Sequence, residues 1–98
     1  MTFDFGKEKM TAYRDAGIPM GMIRFPRIRA GLVNIDQIIV YPEFRGLGVE
    51  EQMMDVLLIH LLKTHQKAAL SCPAAQQYVS RHEEWKQVLP GSIHFTTH

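Results

Sequence analysis

The spacing of apolar and polar residues predicts three strands in the first part of the chain. Residues 9–13 and 20–25 flank the turn-forming residues 15–19, a pattern typical of a β-hairpin. Residues 27–29 form a basic connection, and the β-branched run at residues 32–40 predicts the third strand. We therefore expect an antiparallel hairpin followed by a strand.

The second part of the chain changes to a helical period. Residues 49–65 predict a helix because apolar side chains recur at intervals of three or four, at Val49, Met53, Met54, Leu57, Leu58, Leu61 and Leu62. Residues 68–71 predict a short strand, and Pro73 is well placed to begin a second helix. The predicted order is β-β-β-α-β-α, and residues 92–98 are either a last strand or a tail.

Length and composition favour a single compact domain that spans residues 1–98. Eleven basic against ten acidic side chains give a net charge of +1, and no Lys/Arg block indicates nucleic-acid binding. The one cysteine excludes an intramolecular disulfide and suits a reducing compartment. The N-terminus lacks the apolar region of a signal peptide, and the longest apolar stretch, VLLIHLL, is far shorter than the roughly 20 residues of a spanning helix. We expect a cytoplasmic protein that does not bind membranes.

The segment VYPEFRGLGVE, residues 40–50, joins a predicted strand to a predicted helix. Gly46 and Gly48 allow the backbone to approach an anion, and the first amides of a helix lack intrahelical partners and carry the positive end of its dipole. Arg45 adds a charged donor beside them. The junction is either a phosphate cradle or an ordinary strand-to-helix turn.

The sequence contains no motif for a metal ion, ATP or NAD. The histidines lack metal-ligand spacing, so no metal is expected. The glycine turn lacks the Lys-Ser/Thr ending of a P-loop, and its position after a third strand does not suit a dinucleotide fingerprint. We therefore do not expect ATP or NAD.

Two segments of the chain resemble the GNAT superfamily of N-acyltransferases. The first, VYPEFRGLGVEEQMMDVLL, is similar to the strand, loop and helix with which that family binds acyl-CoA. The second, SCPAAQQYVSRHEEW, resembles a signature of the short, single-domain YjdJ-type branch, in which a Cys begins a helix that carries a Tyr and then a His before an aromatic. In this chain those residues are Cys72, Tyr78, His82 and Trp85. The resemblance covers roughly the last two thirds of the chain.

The resemblance implies a minimal GNAT-like α+β (α/β) fold, with a mixed, mostly antiparallel, twisted sheet, two main helices and a splay beside the glycine turn. It also implies acetyl-CoA as co-substrate, with the pantetheine arm in the gap and the pyrophosphate on backbone amides. The implied cofactor-binding residues are Val40, Arg45, Gly46, Leu47, Gly48 and Val49.

Four residues are candidates for the chemistry of amine acylation. Asp36 and His82 are candidate bases for the ammonium proton, and Tyr78 resembles the family residue that protonates the leaving thiolate. Cys72, at the start of a helix where a thiolate is favoured, is a candidate to hold the acyl group. Each also has a plainer interpretation: Asp36 as an exposed strand residue, His82 as a helix cap, Tyr78 as a half-buried aromatic and Cys72 as a small buried residue.

The leading hypothesis is an N-acetyltransferase that moves an acetyl group from acetyl-CoA to an unidentified small-molecule or peptide amine, directly or through acyl-Cys72. Glu50, Gln37 and Ala74 depart from the family pattern. These departures suit an alternative, a non-catalytic CoA-binding or protein-interaction module. The chain lacks the extra helices with which longer members of the superfamily build acceptor pockets. A homodimer or a protein partner that completes the acceptor site is therefore a further possibility.

Overall fold

The computed structural model describes residues 1–91, which form seven strands, two α-helices and three short 3₁₀ helices. The strands are β1 (Thr2–Phe5), β2 (Lys9–Arg14), β3 (Ile18–Arg24), β4 (Arg27–Arg29), β5 (Leu32–Ile35), β6 (Gln37–Val40) and β7 (Lys67–Leu70). The helices are α1 (Val49–Lys63) and α2 (Pro73–Arg81), and the 3₁₀ helices span Asp15–Gly17, Pro42–Phe44 and Glu83–Val88.

The strands form two small sheets. The first is antiparallel throughout, in the order β1-β2-β3-β6. The second has the order β4-β5-β7, in which β4 pairs antiparallel and β7 pairs parallel with β5. This architecture confirms the predicted α+β class with mostly antiparallel pairing.

The predicted strand at residues 32–40 is divided at Asp36. Its first half, β5, pairs with β7, and its second half, β6, pairs with β3, so the two halves belong to different sheets. The carbonyl of Ile35 accepts hydrogen bonds from the amides of Ser71 and Cys72, both at 3.2 Å. Among the described residues, β6 then has β3 as its one strand neighbour, so its other edge is open.

The predicted order β-β-β-α-β-α omits β1 and β4, which the structure adds. β1 is a short edge strand with mostly exposed side chains, and all three residues of β4 are exposed. β4 has no buried side chain and β1 only partly buries Phe3, so neither segment shows the buried alternation from which a strand is predicted.

Helix α1 supplies much of the core and confirms the helical spacing. Leu62, one of the apolar residues at helical spacing, is nevertheless 43% exposed. The helix ends at Lys63, two residues before the predicted end, where the Thr64 hydroxyl donates to the carbonyl of His60 at 2.8 Å. The buried residues of α1 are Val49, Met53, Met54, Leu57, Leu58 and Leu61.

Helix α2 begins at Pro73, as the sequence predicted, and buries Ala75, Tyr78 and Val79. No helix within residues 1–91 is long and apolar enough to cross a membrane. The prediction made for residues 92–98 lies outside the part of the chain that the structure describes.

Strands β3 and β6 approach closely at Gly21, which pairs with Val40. A Cβ atom at Gly21 would lie 2.4 Å from the carbonyl oxygen of Ile39 and 3.2 Å from the terminal methyl of Met53. Glycine is therefore required for the pairing of β3 with β6, and it also leaves room for the end of Met53 from α1.

Candidate active site

A cavity of about 500 Å³ lies between β6 and the N-terminus of α1. This volume is typical of a small-molecule site. The lining residues come from the end of β6, the glycine turn and the first turn of α1: Ile38, Ile39, Val40, Phe44, Arg45, Gly46, Gly48, Val49, Glu50 and Glu51.

The glycine turn has a backbone that favours glycine at two positions. Gly46 has φ +80° and Gly48 has φ +79°, both in the left-handed region that other residues adopt at a cost. Gly48 is the N-cap of α1, makes no side-chain cap hydrogen bond, and accepts the first helical bond from Gln52 through its carbonyl. The amides at the start of α1 have no intrahelical acceptor, so they can bind an anion.

The open edge of β6 presents backbone groups next to this turn. Because the amide of Tyr41 donates to the carbonyl of Met20 in β3, the alternation of an antiparallel pair directs the backbone groups of Val40 and Ile38 to the other side. Arg45 Nε approaches the carbonyl oxygen of Val40 at 3.4 Å, which agrees with this outward direction. The cavity therefore has peptide groups without a strand partner along one wall.

Charges of both signs line the cavity. Arg45 is its one lining cation, whereas Glu50 and Glu51 bring two carboxylates. Acidic residues in the first turn of a helix interact favourably with the helix dipole, which explains both glutamates as residues that stabilise α1. They also lower the positive potential that a phosphate-bearing ligand would meet.

Five of the six predicted cofactor-binding residues line the cavity, namely Val40, Arg45, Gly46, Gly48 and Val49. The sixth, Leu47, does not, and its side chain is 65% exposed. Sequence reasoning missed Ile38 and Ile39, which looked like ordinary residues of a buried strand, and Phe44, which precedes the glycine turn. The position of these three beside an open strand end is a tertiary feature without a local sequence signal.

Tyr78 is the centre of a partly buried polar network that links α1 with the C-terminal part of the fold. Its side chain is 1% exposed, and its hydroxyl donates to Asp55 Oδ1. Trp85 Nε1 donates to the same oxygen at 3.3 Å. Burial first, and then the hydrogen bond to the Asp55 carboxylate, raise the pKa of Tyr78 above its ordinary value.

Asp55 was not predicted as a site residue. It lies on α1 between the buried Met54 and Leu57, and its burial is intermediate. The available sequence signal was an acidic residue inside an otherwise apolar run of the helix. That signal predicts a buried partner without identifying it, since Tyr78 and Trp85 are 23 and 30 positions away.

His82 lies directly against Tyr78 at the C-terminal end of α2. The two rings stack with centroids 4.2 Å apart and an interplanar angle of 19°. His82 Nδ1 is 2.8 Å from the carbonyl oxygen of Tyr78. Because a carbonyl oxygen accepts but cannot donate, this contact places a proton on Nδ1 and leaves the lone pair of a neutral ring on Nε2.

Asp36, the other candidate base, forms an ion pair with Arg24. Arg24 Nη2 donates to Asp36 Oδ2 at 2.7 Å, and Arg24 Nε donates to Oδ1 at 3.1 Å. The hydrogen bond from Arg24 lowers the pKa of the Asp36 carboxyl below its ordinary value. A carboxylate held in this way is a weaker base, and its position between β5 and β6 gives it a structural role.

Cys72 is the N-cap of α2 and belongs to the hydrophobic core. It is 7% exposed and makes no side-chain cap hydrogen bond. Its amide donates to the carbonyl of Ile35, the last residue of β5, just before the chain passes into β6. Within residues 1–91, none of the four candidate catalytic side chains lines the cavity, so the structure separates them from the glycine turn.

A second cavity, of about 460 Å³, lies between β7 and α2 and has a more apolar lining. It is lined by Ala68, Ala69, Leu70, Gln76, Val79, Ser80, Lys86, Leu89 and Pro90. The described residues contain no cluster of three or more His, Cys, Asp or Glu side chains that could hold a metal ion.

A sequence profile of the GCN5-related N-acetyl-transferase family matches residues 10–88. The chain therefore belongs to this family, and the predicted membership of the GNAT superfamily is confirmed. The match does not separate the short YjdJ-type branch, which stays a prediction. No curated protein sequence matches the chain.

Solved structures show the same fold. A GCN5-like protein from Staphylococcus aureus is 21% identical, with a TM-score of 0.73 over 92% of this chain and 88% of that one. A Mycobacterium tuberculosis protein solved in complex with CoA is 19% identical, with a TM-score of 0.64 over 79% of this chain and 48% of that one. Ard1 from Thermoplasma volcanium is 22% identical, with a TM-score of 0.61 over 78% and 55%. The chain thus spans about half the length of the last two proteins.

Proposed function

We propose that the protein binds acetyl-CoA in the cavity beside β6 and transfers the acetyl group to an amine. The observation that carries this proposal is the geometry of the cavity, where two positive-φ glycines, the N-terminus of α1 and the open edge of β6 meet. Membership of the GCN5-related N-acetyl-transferase family supports acetyl transfer as the reaction. The acceptor is a small-molecule or peptide amine.

The glycine turn is the proposed site of the pyrophosphate. The amides of Leu47, Gly48 and Val49 supply hydrogen-bond donors at the positive end of the α1 dipole. Gly46 shapes the turn through its positive φ, and Arg45 supplies a charged donor once its guanidinium leaves the Val40 carbonyl.

The open edge of β6 is the proposed site of the pantetheine arm. The outward backbone groups of Val40 and Ile38 can pair with its amides. β6 runs from Gln37, next to the place where the strands diverge, to Val40 at the cavity. Its four residues cover about 13 Å, so an arm laid along the edge carries the thioester from the cavity towards Cys72 and the start of α2.

Acetyl transfer requires two proton movements besides the exchange of bonds. The neutral amine forms an N–C bond while the C–S bond breaks, the ammonium proton passes to a base, and the thiolate gains a proton. His82 is the proposed base because its Nε2 lone pair is available, whereas Arg24 weakens Asp36 as a base. Tyr78 is the proposed donor of the proton that the thiolate receives, on the strength of its family resemblance. Its raised pKa and its hydrogen bond to Asp55 make it a weaker acid, which opposes this assignment.

An acyl group on Cys72 is a second proposed route. In this route the Cys72 thiol takes the acetyl group from CoA, releases CoA thiol, and then passes the acetyl group to the amine. The position of Cys72 at the start of α2 supports the route, and its 7% exposure opposes it. If Cys72→Ala keeps full turnover and CoA affinity, and no acetyl mass is found on the wild-type cysteine, transfer is direct.

A non-catalytic CoA-binding or interaction module is the alternative function. The two carboxylates in the cavity, Glu50 and Glu51, and the engagement of Asp36 by Arg24 suit a domain that keeps the fold without turnover. The two functions differ in a direct assay. Acetyl transfer by the purified protein to any amine in a screen of small molecules and peptides would reject the alternative.

Binding of acetyl-CoA and CoA, measured by isothermal titration calorimetry, tests the proposed site. Gly48→Glu places a carboxylate and a strained φ at the turn, so we expect affinity to fall by more than about thirtyfold, or ~2 kcal/mol. Gly31→Glu is the matched control because Gly31 also has a positive φ, +78°, and open space around its Cα. Equal affinities of the two variants, or no binding by folded wild-type protein, would contradict the proposal.

A further inference from the structure

Arg14 is a cation that contacts a residue of the cavity wall without lining the cavity itself. It ends β2, and its guanidinium carbon lies 5.9 Å from the ring centroid of Phe44. Phe44 is 9% exposed and lines the cavity, whereas Arg14 itself is exposed. A cation–π contact of this kind holds the guanidinium over the Phe44 ring without using its hydrogen-bond donors.

The residues that line the cavity supply too little positive charge for a ligand with several phosphates. Arg45 is opposed by Glu50 and Glu51 among the lining residues, so the lining alone carries more negative than positive charge. CoA carries a pyrophosphate and, at the far end from its thioester, a ribose 3′-phosphate. Within residues 1–91 no carboxylate pairs with Arg14, since the ion pairs there join Arg24 to Asp36 and Lys86 to Glu83.

Taking the proposed binding of CoA as its basis, we infer that Arg14 binds the 3′-phosphate and makes the site selective for CoA over 3′-dephospho-CoA. The glycine turn already supplies amides for the pyrophosphate, and Arg14 stands behind Phe44 rather than among the lining residues. A phosphate that extends from the cavity past the Phe44 ring would meet this guanidinium. A guanidinium suits this task because its planar donors can contact two phosphate oxygens at once.

Calorimetric titration with CoA and with 3′-dephospho-CoA tests the inference. We expect wild-type protein to bind CoA about tenfold more tightly, the size of one exposed charge-assisted contact. Arg14→Gln is expected to reduce this ratio to about one and to leave the affinity for 3′-dephospho-CoA within about twofold. Arg14→Lys keeps the charge and should retain part of the selectivity, and Arg29→Gln, on the exposed strand β4, is the control for net charge.

The outcomes separate the inference from the proposed function. If wild-type protein binds both ligands and Arg14→Gln leaves the ratio unchanged, or weakens both ligands equally, the role of Arg14 is wrong while CoA binding stands. If folded wild-type protein binds neither ligand, the proposed function fails together with the inference. Thermal unfolding of each variant shows whether the contact with Phe44 is needed for folding rather than for selectivity.

Discussion

Replacing Gly21 with alanine is expected to lower the free energy of unfolding by about 3 kcal/mol. The new methyl group would lie 2.4 Å from the carbonyl oxygen of Ile39, a backbone atom that cannot move without separating β3 from β6. It would also press on the end of Met53, although that flexible side chain can adjust. Urea denaturation followed by circular dichroism measures the change.

Gly31→Ala separates crowding from backbone strain. Gly31 has a positive φ of +78°, and a Cβ atom added there would have no neighbouring atom within 4 Å, so alanine costs about 1 kcal/mol through its backbone alone. Gly21 has no positive φ, and its cost is one of space. A Gly21→Ala variant as stable as Gly31→Ala would show that β3 and β6 are not packed as described.

Replacing Asp55 with leucine is expected to cost about 2 to 4 kcal/mol of unfolding free energy. The change leaves the Tyr78 hydroxyl and the half-buried Trp85 indole N–H without their acceptor, and an unsatisfied donor in the interior costs about 1 to 3 kcal/mol. Asp55→Asn keeps a carbonyl oxygen in the same place and should cost clearly less. Equal losses for the two variants would mean that the network does not hold Tyr78 in position.

The same network predicts how stability depends on alkaline pH. Because burial and Asp55 raise the pKa of Tyr78, its protonated hydroxyl contributes stability below the ordinary tyrosine pKa of about 10. That contribution is lost as the pH rises above this value. Tyr78→Phe removes the titrating group, so its stability should decline less steeply than that of wild-type protein above pH 10.

The parts of the fold that the sequence predicts well are those with a local physical cause. Helix α1 follows from the recurrence of apolar residues, and the start of α2 follows from Pro73. The turn before α1 follows from Gly46 and Gly48, whose positive φ angles leave few alternatives. Such features depend on residues that are neighbours along the chain.

The features that the sequence does not predict depend on distant partners. β4 is held by backbone pairing with β5 and has no buried side chain. The break at Asp36 arises because β7 pairs with the first half of the β-branched run and β3 pairs with the second half. Arg24 holds the aspartate between the two halves by a hydrogen bond. A local pattern carries no information about these contacts.

The candidate site also has one part that the local sequence predicts and another part that depends on distant residues. The predicted cofactor-binding residues of the glycine turn form one continuous segment, and all but Leu47 line the cavity. The candidate catalytic residues come from separate elements, and the sequence does not show which side chains contact them. Asp55 beside Tyr78 and Arg24 beside Asp36 change what each candidate can do, and neither partner has a sequence motif.

Amide chemical-shift mapping with isotope-labelled protein and CoA tests the central claim most directly. We predict that the largest shifts fall on the amides of residues 46–51 and on Ile38 and Val40, where the glycine turn and the open edge of β6 face the cavity. Largest shifts along β7 and α2, around the second cavity, would contradict the proposed site. An unchanged spectrum of the folded protein at millimolar CoA would contradict CoA binding itself.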